Sequence, residues 1–384
     1  MANTLTNLIP DVYTALDVVS RELVGMIPGV TRDAQADNVA LGQNVYVDIA
    51  PASAAADVTP AVNAPDTGDQ VIGSTAITIS KSRGVPFRWN GEQTKGVNNG
   101  GPGSLNIQQM QIAQAIRTLT NEIETDLCAL SSTFSRAYSA HATAPVTPFG
   151  TAGDFTEASL TAKILKDNGA PTVGNRLVLN TTAGANLIGK QSRTDIAGQD
   201  AMLRQGVLLD TAGFSITESA QVVSHTKGTG TSYTSAATGY AVGTTSIPII
   251  TGSGTVLAGD VVTFAGDTNK YMVTTGVAAP GTIVIAEPGL KVALAASAVA
   301  MTIVDSAAQN LAFAPSAIVL AQRLPALPDG GDMADDRMLV TDPRSGLTFE
   351  LAVYRQYRQV HYELSAAWGV KNIKPEHTAV LLGQ

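Results

Sequence analysis

The chain has 384 residues, 44% of them hydrophobic but only 5% aromatic, with a net charge of −8 and a pI near 5.0. That length supplies two or three compact cores, and the acidic balance argues against a dedicated nucleic-acid binder, which would concentrate basic residues. Cys128 is the only cysteine, so no intrachain disulfide forms, and no run approaches the ~20 apolar residues of a membrane span.

The first residues carry no basic stretch before their short apolar run, unlike a signal peptide, so a soluble product of a reducing cytoplasm is expected. A helix is predicted to begin at Thr6 or Asn7, with Pro10 close to the first turn. Val12, Leu16, Val19 and Leu23 recur at helical spacing, and Gly25, Pro28 and Gly29 end it. Such a short amphipathic element needs a partner surface and reads as an arm packed on a neighbouring element or subunit.

Over residues 44–89 the period changes to two. Val45, Val47 and Ile49 alternate with Tyr46 and Asp48, and Ile77 and Ile79 with Thr78 and Ser80, the signal of half-buried strands. Residues 51–73 between them are rich in Ala, Pro, Asp and Thr and cannot build a core. The unit reads as a long two-stranded excursion with a mobile tip, marginal by itself and stabilised by lying against something else, such as an adjacent copy.

Residues 106–138 are the stretch around which the rest is organised. Ile112, Ile116, Leu119, Ile123, Leu127, Leu130, Phe134 and Tyr138 fall three or four apart without interruption. Asn106 with Gln109 supplies a capping pair, and the predicted helix is roughly 50 Å long at ~1.5 Å per residue. Its other face, including Gln108, Gln111, Gln114, Arg117, Asn121, Glu122 and Asp126, reads as solvent-facing or as a polar interface.

Further on, residues 144–153 form a Pro and Gly loop, 156–166 a short helix, 176–180 (RLVLN) a buried-type strand and 181–190 a small helix. From about Ser224 to Val304 the chain turns Gly, Thr, Val and Ala rich. Strand-like runs at 241–250, 260–264, 270–275, 281–286 and 301–304 are separated by turn signals, indicating a small β barrel or sandwich. Because α/β patterning resumes at 311–320, it reads as an inserted domain. Residues 329–337 (DGGDMADDR) form an acidic loop whose spacing does not match an EF-hand, so a solvated turn is the expectation. Two strands at 347–353 and 357–364 follow, with Tyr354, Arg355, Tyr357, Arg358 and His361 between and along them. That alternation is compatible with single-stranded nucleic acid but is more commonly a sheet with one packed and one hydrated face.

The sequence contains no G-x-x-x-x-G-K-[ST] loop, H-E-x-x-H, paired-cysteine site or G-x-S-x-G. Residues 228–233 begin like a G-x-G-x-x-G loop but lack the last glycine, and His141, His225, His361 and His377 are scattered. No catalytic, cofactor-binding or metal-binding residue is assigned, and no enzymatic activity is expected.

Residues 310–320 (NLAFAPSAIVL), Arg323, Leu324 and Pro325, residues 346–354 (GLTFELAVY) and residues 367–377 (AWGVKNIKPEH) resemble the closing segment of major capsid proteins of tailed bacteriophages. The nearest likeness is to podovirus-type coat proteins with an inserted domain, and the order of parts agrees over nearly the whole chain. The resemblance implies an α+β fold of the Hong Kong 97 type. Its parts would be an N-terminal arm (1–43), an extended β loop (44–103), a spine helix of the peripheral domain (104–140), an axial domain in two parts (141–223 and 306–335), an inserted small β-barrel domain (224–305), and peripheral hinge strands with the C-terminal segment (336–384). It implies a shell subunit located in the virion capsid and assembled in the host bacterial cytoplasm. The implied partners are copies of itself in hexamers and pentamers, a separate scaffolding protein, a portal protein and a decoration protein, with packaged double-stranded DNA contacted only indirectly. Some members join a Lys to an Asn on a neighbour, for which Lys81 and Asn372 would be the residues; Asp260, Asp267 and Lys270 would be the candidates for salt bridges of the insertion. The alternatives are a phage or cell-surface β-rich protein binding a receptor or glycan through the Thr/Gly segment, and a hydrolase whose site is assembled by folding.

Overall fold

A computed structural model describes residues 24–49, 55, 57–60, 71–99, 103–150, 155–191, 210–342 and 345–383. In chain order the strands and helices are β1 (Thr31–Val39), β2 (Asn44–Ile49), β3 (Gly73–Thr78), β4 (Lys81–Asn90), α1 (Gly91–Asn98), α2 (Ser104–Ala129), β5 (Arg136–Tyr138), α3 (Thr156–Asp167), β6 (Arg176–Leu179), α4 (Thr181–Gln191), β7 (Ser215–Glu218), β8 (Ser224–His225), β9 (Thr234–Ser235), β10 (Ser246–Ile250), β11 (Val261–Phe264), β12 (Lys270–Thr275), β13 (Gly281–Ile285), β14 (Met301–Ile303), β15 (Ala307–Phe313), β16 (Ile318–Pro325), β17 (Asp336–Thr341), β18 (Thr348–Gln356), β19 (Gln359–Asn372) and β20 (Thr378–Gly383). The helix expected between Thr6 and Leu23 and most of the segment 51–73 lie outside the described residues.

The long helix is shorter than its periodicity predicts. It has 26 residues, about 39 Å at 1.5 Å per residue, and gives way to a 3-10 turn, Leu130–Thr133, before β5. Ser131, Ser132 and Thr133 compete with the helix for backbone partners, and the Thr133 hydroxyl donates to the Leu130 carbonyl at 2.7 Å. Phe134 and Tyr138 continue the apolar spacing only by coincidence. Phe134 is extended and fully buried, while Tyr138 pairs with Leu381 of β20. The start also differs: Gly103, at φ +88°, holds the N-cap position with no side-chain cap, so Asn106 is internal to the helix.

The apolar stripe of α2 is buried as its spacing requires. Ala115, Leu119, Ile123 and Leu127 are closed to solvent, with Ile112 and Ile116 packed beside them in the largest core. Of the two readings of the polar face, the polar interface holds for Gln111, Glu122 and Asp126, which meet the sheet, while Gln114 is exposed. Gln111 accepts from Trp89 Nε1 (2.7 Å), Asp126 from Trp368 Nε1 (2.8 Å) and Lys81 (2.8 Å), and Glu122 from Lys81 (3.1 Å) and Arg83 (3.2 Å).

That sheet has the order β1-β16-β19-β18-β17, with β4 also on β19. The 14-residue β19 binds β4 from Gln359↔Asn90 to Trp368↔Lys81, β18 along its first half and β16 along its second. Two of these strands correct the sequence reading. β1, within the expected arm, runs parallel to β16, and β4, expected in the excursion, belongs to the long sheet. Between β4 and α2, α1 was not anticipated, although its capping box is readable. Asn90 and Gln93 exchange side-chain and backbone hydrogen bonds.

A second sheet runs β7-β6-β15-β20-β5-β12-β13-β10-β9, with β8, β11 and β14 attached. Helices α3 and α4 cover β6, β15 and β20 around a second core that includes Leu165, Leu177, Leu187 and Leu381. The run 311–320 is two strands, β15 and β16, separated by the 3-10 turn Pro315–Ala317. Strands expected after residue 240 are present as β10 to β14, the first beginning at Ser246. They enclose a third core of Tyr233, Ile247, Val262, Phe264, Tyr271, Ile283, Ile303 and neighbours, joined to the rest where Lys270 and Tyr271 pair with Ala137 and Arg136.

Candidate assembly surface

The β2–β3 ribbon is a separate two-stranded sheet, in register from Asn44↔Thr78 to Ile49↔Gly73. Its pleat turns Val45 and Val47 inward with Ile77 and Ile79, onto Val39, Val319, Ala321 and Ala367. Hydrogen bonds complete the root: Gly42 N–H to Ile79 O, Ser80 N–H to Trp368 O, and Lys371 Nζ to Ala76 O at 2.9 Å. The ribbon was expected to lie against something else, such as an adjacent copy, and its root rests on its own sheet. The outward part is different. Tyr46, Val71 and Val58 are 66%, 88% and 99% exposed, so among the described residues they are mostly uncovered.

Where the N-terminal segment enters the body it is gripped by Glu124 of α2. This fully buried carboxylate accepts the backbone N–H groups of Gly25 (2.8 Å), Met26 (2.7 Å) and Ile27 (3.1 Å). Burial raises its pKa, opposed by the three amides and the Ser219 hydroxyl. Gly25 is required there, since a Cβ would meet Glu218 O and Val178 Cγ1 at 2.8 Å. Sequence reasoning missed this clasp; a carboxylate adjoining the apolar stripe at Glu124 was the available signal.

At the far end of the long sheet the acidic loop is tied down by arginines. Arg337 bonds both Asp332 and Glu350, Arg355 pairs with Asp335 at 3.0 Å, and Tyr354 donates to Asp332 at 2.7 Å. The Arg337 and Tyr354 hydrogen bonds pull the Asp332 pKa down to about 2. Among the described residues no group of three or more His, Cys, Asp or Glu is arranged to hold a metal. Beyond this network the β18–β19 turn presents Tyr357, 87% exposed, and Arg358.

No protein-family model matches the sequence, and neither does any curated protein. Among solved structures, a chain in the capsid structure of the cyanophage P-SCSP1u superposes at TM-score 0.50 with 11% identity, covering 99% of this chain and 93% of its own. The chain has a phage capsid fold. A chain from bacteriophage PhiM1 mature capsid (TM-score 0.47, 11% identity, 99% and 92% covered) and one from Mycobacterium phage Che8 (TM-score 0.46, 12% identity, 98% of each) overlap more loosely.

Within this capsid fold the remaining sequence candidates are engaged internally. Asp260 accepts from His225 Nε2 (2.8 Å), Gly228 N–H and Leu257 N–H. Asp267 accepts from the Tyr271 hydroxyl (2.6 Å), and Lys270 donates to Ser139 O. Lys81 is held by Glu122 and Asp126, and the buried Asn372 donates to Thr133 O at 3.1 Å, so neither is presented for joining to a neighbour. Of the aromatic rings in segment 224–305, Tyr233, Phe264 and Tyr271 are buried and Tyr240 is half-buried. The histidines sit in separate surroundings: His225 on Asp260, His361 against the Tyr354 ring at 5.9 Å, and His377 part-buried with its pKa lowered by burial.

Proposed function

We propose that this chain is the major capsid protein of a tailed double-stranded DNA bacteriophage, self-assembling into the icosahedral shell that encloses the genome. The observation that carries this reading is a capsid fold spanning nearly the whole chain together with a ribbon whose outer residues are mostly uncovered among the described residues. Repeated copies in closed symmetry supply the missing burial many times over.

In this reading the fold is of the Hong Kong 97 type. α2 is the spine; the peripheral part is the long sheet with β4 and β17 to β19, to which β16 is moved from the expected axial stretch 306–335 because it pairs with β19. The axial part is β7, β6 and β15 with α3 and α4, to which β20 and β5 are moved from the expected C-terminal and spine stretches because β20 pairs with β15 and β5. The β-rich segment 224–305, with its own core, is an insertion between β7 and β15. The protein is structural, without a reaction of its own, and resides in the virion after assembly in the host cytoplasm. A scaffolding protein and a portal protein are its partners during assembly, and a decoration protein is a further candidate.

Electron microscopy of the purified full-length chain over a range of concentrations, alone and with a co-expressed scaffold, tests this. Capsomer rings or uniform closed particles are expected; a chain that stays monomeric throughout refutes it. Removing residues 1–23 keeps the Glu124 clasp and is expected to preserve the fold while lowering particle yield.

A further inference from the structure

Among the described residues, β1, β4 and β17 of the long sheet each pair with a single strand. Two of these three edges carry devices that discourage pairing with another chain. β1 is interrupted by a register shift between Ala34 and Asn38 and carries Arg32 and Asp33. β4 contains Pro86, which has no N–H to offer, together with Arg83 and Arg88. Bulges, prolines and charged side chains are how a free edge is blunted.

β17 has none of them. Its residues pair with β18 without a shift from Asp336↔Val353 to Thr341↔Thr348, and the strand contains no proline, glycine or lysine. Its one basic side chain, Arg337, is drawn back onto Asp332 and Glu350. What the strand exposes is apolar: Met338 and Leu339 are 53% and 49% exposed, and Met333 just before it 91%. An open edge with apolar side chains is a template for strand pairing.

The pairing with β18 fixes the two sides of the strand. Met338 and Val340 lie opposite Leu351 and Phe349 of the largest core, whereas Arg337 and Leu339 lie opposite Ala352 and Glu350. If β17 pairs with itself about a twofold axis perpendicular to the sheet, both copies keep the same side up, so only residues of one side meet. A register centred on Met338 sets Asp336 against Val340, and one centred on Val340 sets Met338 against Asp342. The register centred on Leu339 sets Leu339 against Leu339, Met338 against Val340 and Arg337 against Thr341. There every apolar residue meets an apolar one.

We propose that β17 pairs antiparallel with β17 of a second copy in the Leu339-centred register, joining two long sheets into one. The contact is isologous, the same strand serving on both sides. A single strand pair falls short of the ~1,200 Å² buried in a stable interface, so the dimer is weak alone and gains by repetition in a closed assembly. Asp336 falls opposite Asp342 at each end, and each copy has a net charge of −8, so screening by salt strengthens the pairing. The pairing stands on the edge itself; its use in a shell rests on the capsid reading.

The test is disulfide trapping in the full-length chain under mild oxidation, read on a non-reducing gel, with sedimentation velocity and electron microscopy of the same samples. Cys128 is fully buried, so an introduced cysteine is the reactive one. Leu339→Cys sets two cysteines directly opposite, about 5 Å apart at Cα, within disulfide reach. Thr341→Cys on the same strand sets them four positions apart, roughly 14 Å at ~3.4 Å per residue, beyond that reach. Dimers of Leu339→Cys should form about tenfold or more faster than those of Thr341→Cys. Leu339→Lys puts two like charges on the axis and should raise the dimer Kd about tenfold or more, while salt at about 0.5 M should lower the wild-type Kd. The cysteine comparison decides the matter even where Leu339→Lys folds poorly. Equal trapping at the two positions, or Leu339→Lys dimers as tight as wild type, overturns the pairing. If Leu339→Lys blocks assembly and neither cysteine traps, a different segment of the neighbour covers the edge and the pairing is again overturned. Closed particles without a Leu339→Cys dimer remove the pairing and leave the capsid reading standing; a Leu339→Cys dimer in a chain that never forms rings or shells does the reverse.

Discussion

Replacing Glu124 isolates the contact that fastens the incoming chain to the spine. Its carboxylate is the acceptor for three consecutive N–H groups, those of Gly25, Met26 and Ile27, and both Met26 and Ile27 are fully buried. Glu124→Ala leaves these donors without a partner. Each orphaned buried donor costs about 1–3 kcal/mol, and partial relaxation brings the sum to about 4 kcal/mol. An unfolding entropy of about 2.1 cal/mol/K per residue gives roughly 0.8 kcal/mol/K over the chain, so the melting temperature should fall by about 5 °C. Amide exchange supplies the local readout: the protons of Gly25, Met26 and Ile27 should exchange much faster while those of β19 remain protected. A melting temperature within about 1 °C of wild type, with unchanged protection at the three amides, would refute the clasp. The pH dependence has a defined sign. Burial raises the folded-state pKa of Glu124 above its ordinary 4.5, so this group's stabilising linkage is complete below the unfolded value and is lost as pH rises through the folded one. The stability of wild type relative to Glu124→Gln should therefore decline with rising pH across that window.

Other consequences are independent of that clasp. Ile123→Ala empties part of the largest core beneath α2 and should cost about 2–5 kcal/mol in denaturant unfolding; a change below about 1 kcal/mol would show that the helix does not pack there. Cys128 is fully buried and its thiol pKa is pushed up by burial and the nearby Glu124 charge, so a thiol reagent at pH 8 should modify it only after unfolding; rapid labelling of the native chain contradicts this. Arg337→Ala removes the main hydrogen bond that holds Asp332 at about 2, and NMR titration should find that carboxyl moved back toward its ordinary 3.8. Because the wild-type pKa is depressed, the associated stabilisation is present above the unfolded value and lost as pH falls through about 2; an unmoved Asp332 pKa in the variant would exclude the network.

Much of the fold was legible where a pattern is local. The stripe from Ile112 to Leu127, the alternation of Val45, Val47 and Ile49, and the short strands between turns after residue 240 each state which side of an element is apolar. That is enough to specify helix or strand. The candidate surface was legible only in outline: the ribbon was visible in composition, but its root on Val319, Ala321 and Ala367 depends on residues far away in sequence. The Tyr357–Arg358 turn was visible as a mixture of aromatic and basic residues, and the backbone conformation of Arg358 was not.

By itself, the sequence determined that there would be a long amphipathic helix, an apolar-poor ribbon and a β-rich run of small residues, because side-chain periodicity follows from local backbone geometry. Tertiary structure decided where the helix stops, that β1, β4 and β20 join sheets, and that the polar face of α2 meets Trp89, Trp368 and Lys81. It also decided that Glu124 holds the N-terminal segment. These outcomes depend on partners as far as 313 residues apart in the chain, as for Arg32 and Ser345, and a strand or a buried carboxylate acquires its stability only when such a partner supplies the missing hydrogen bonds.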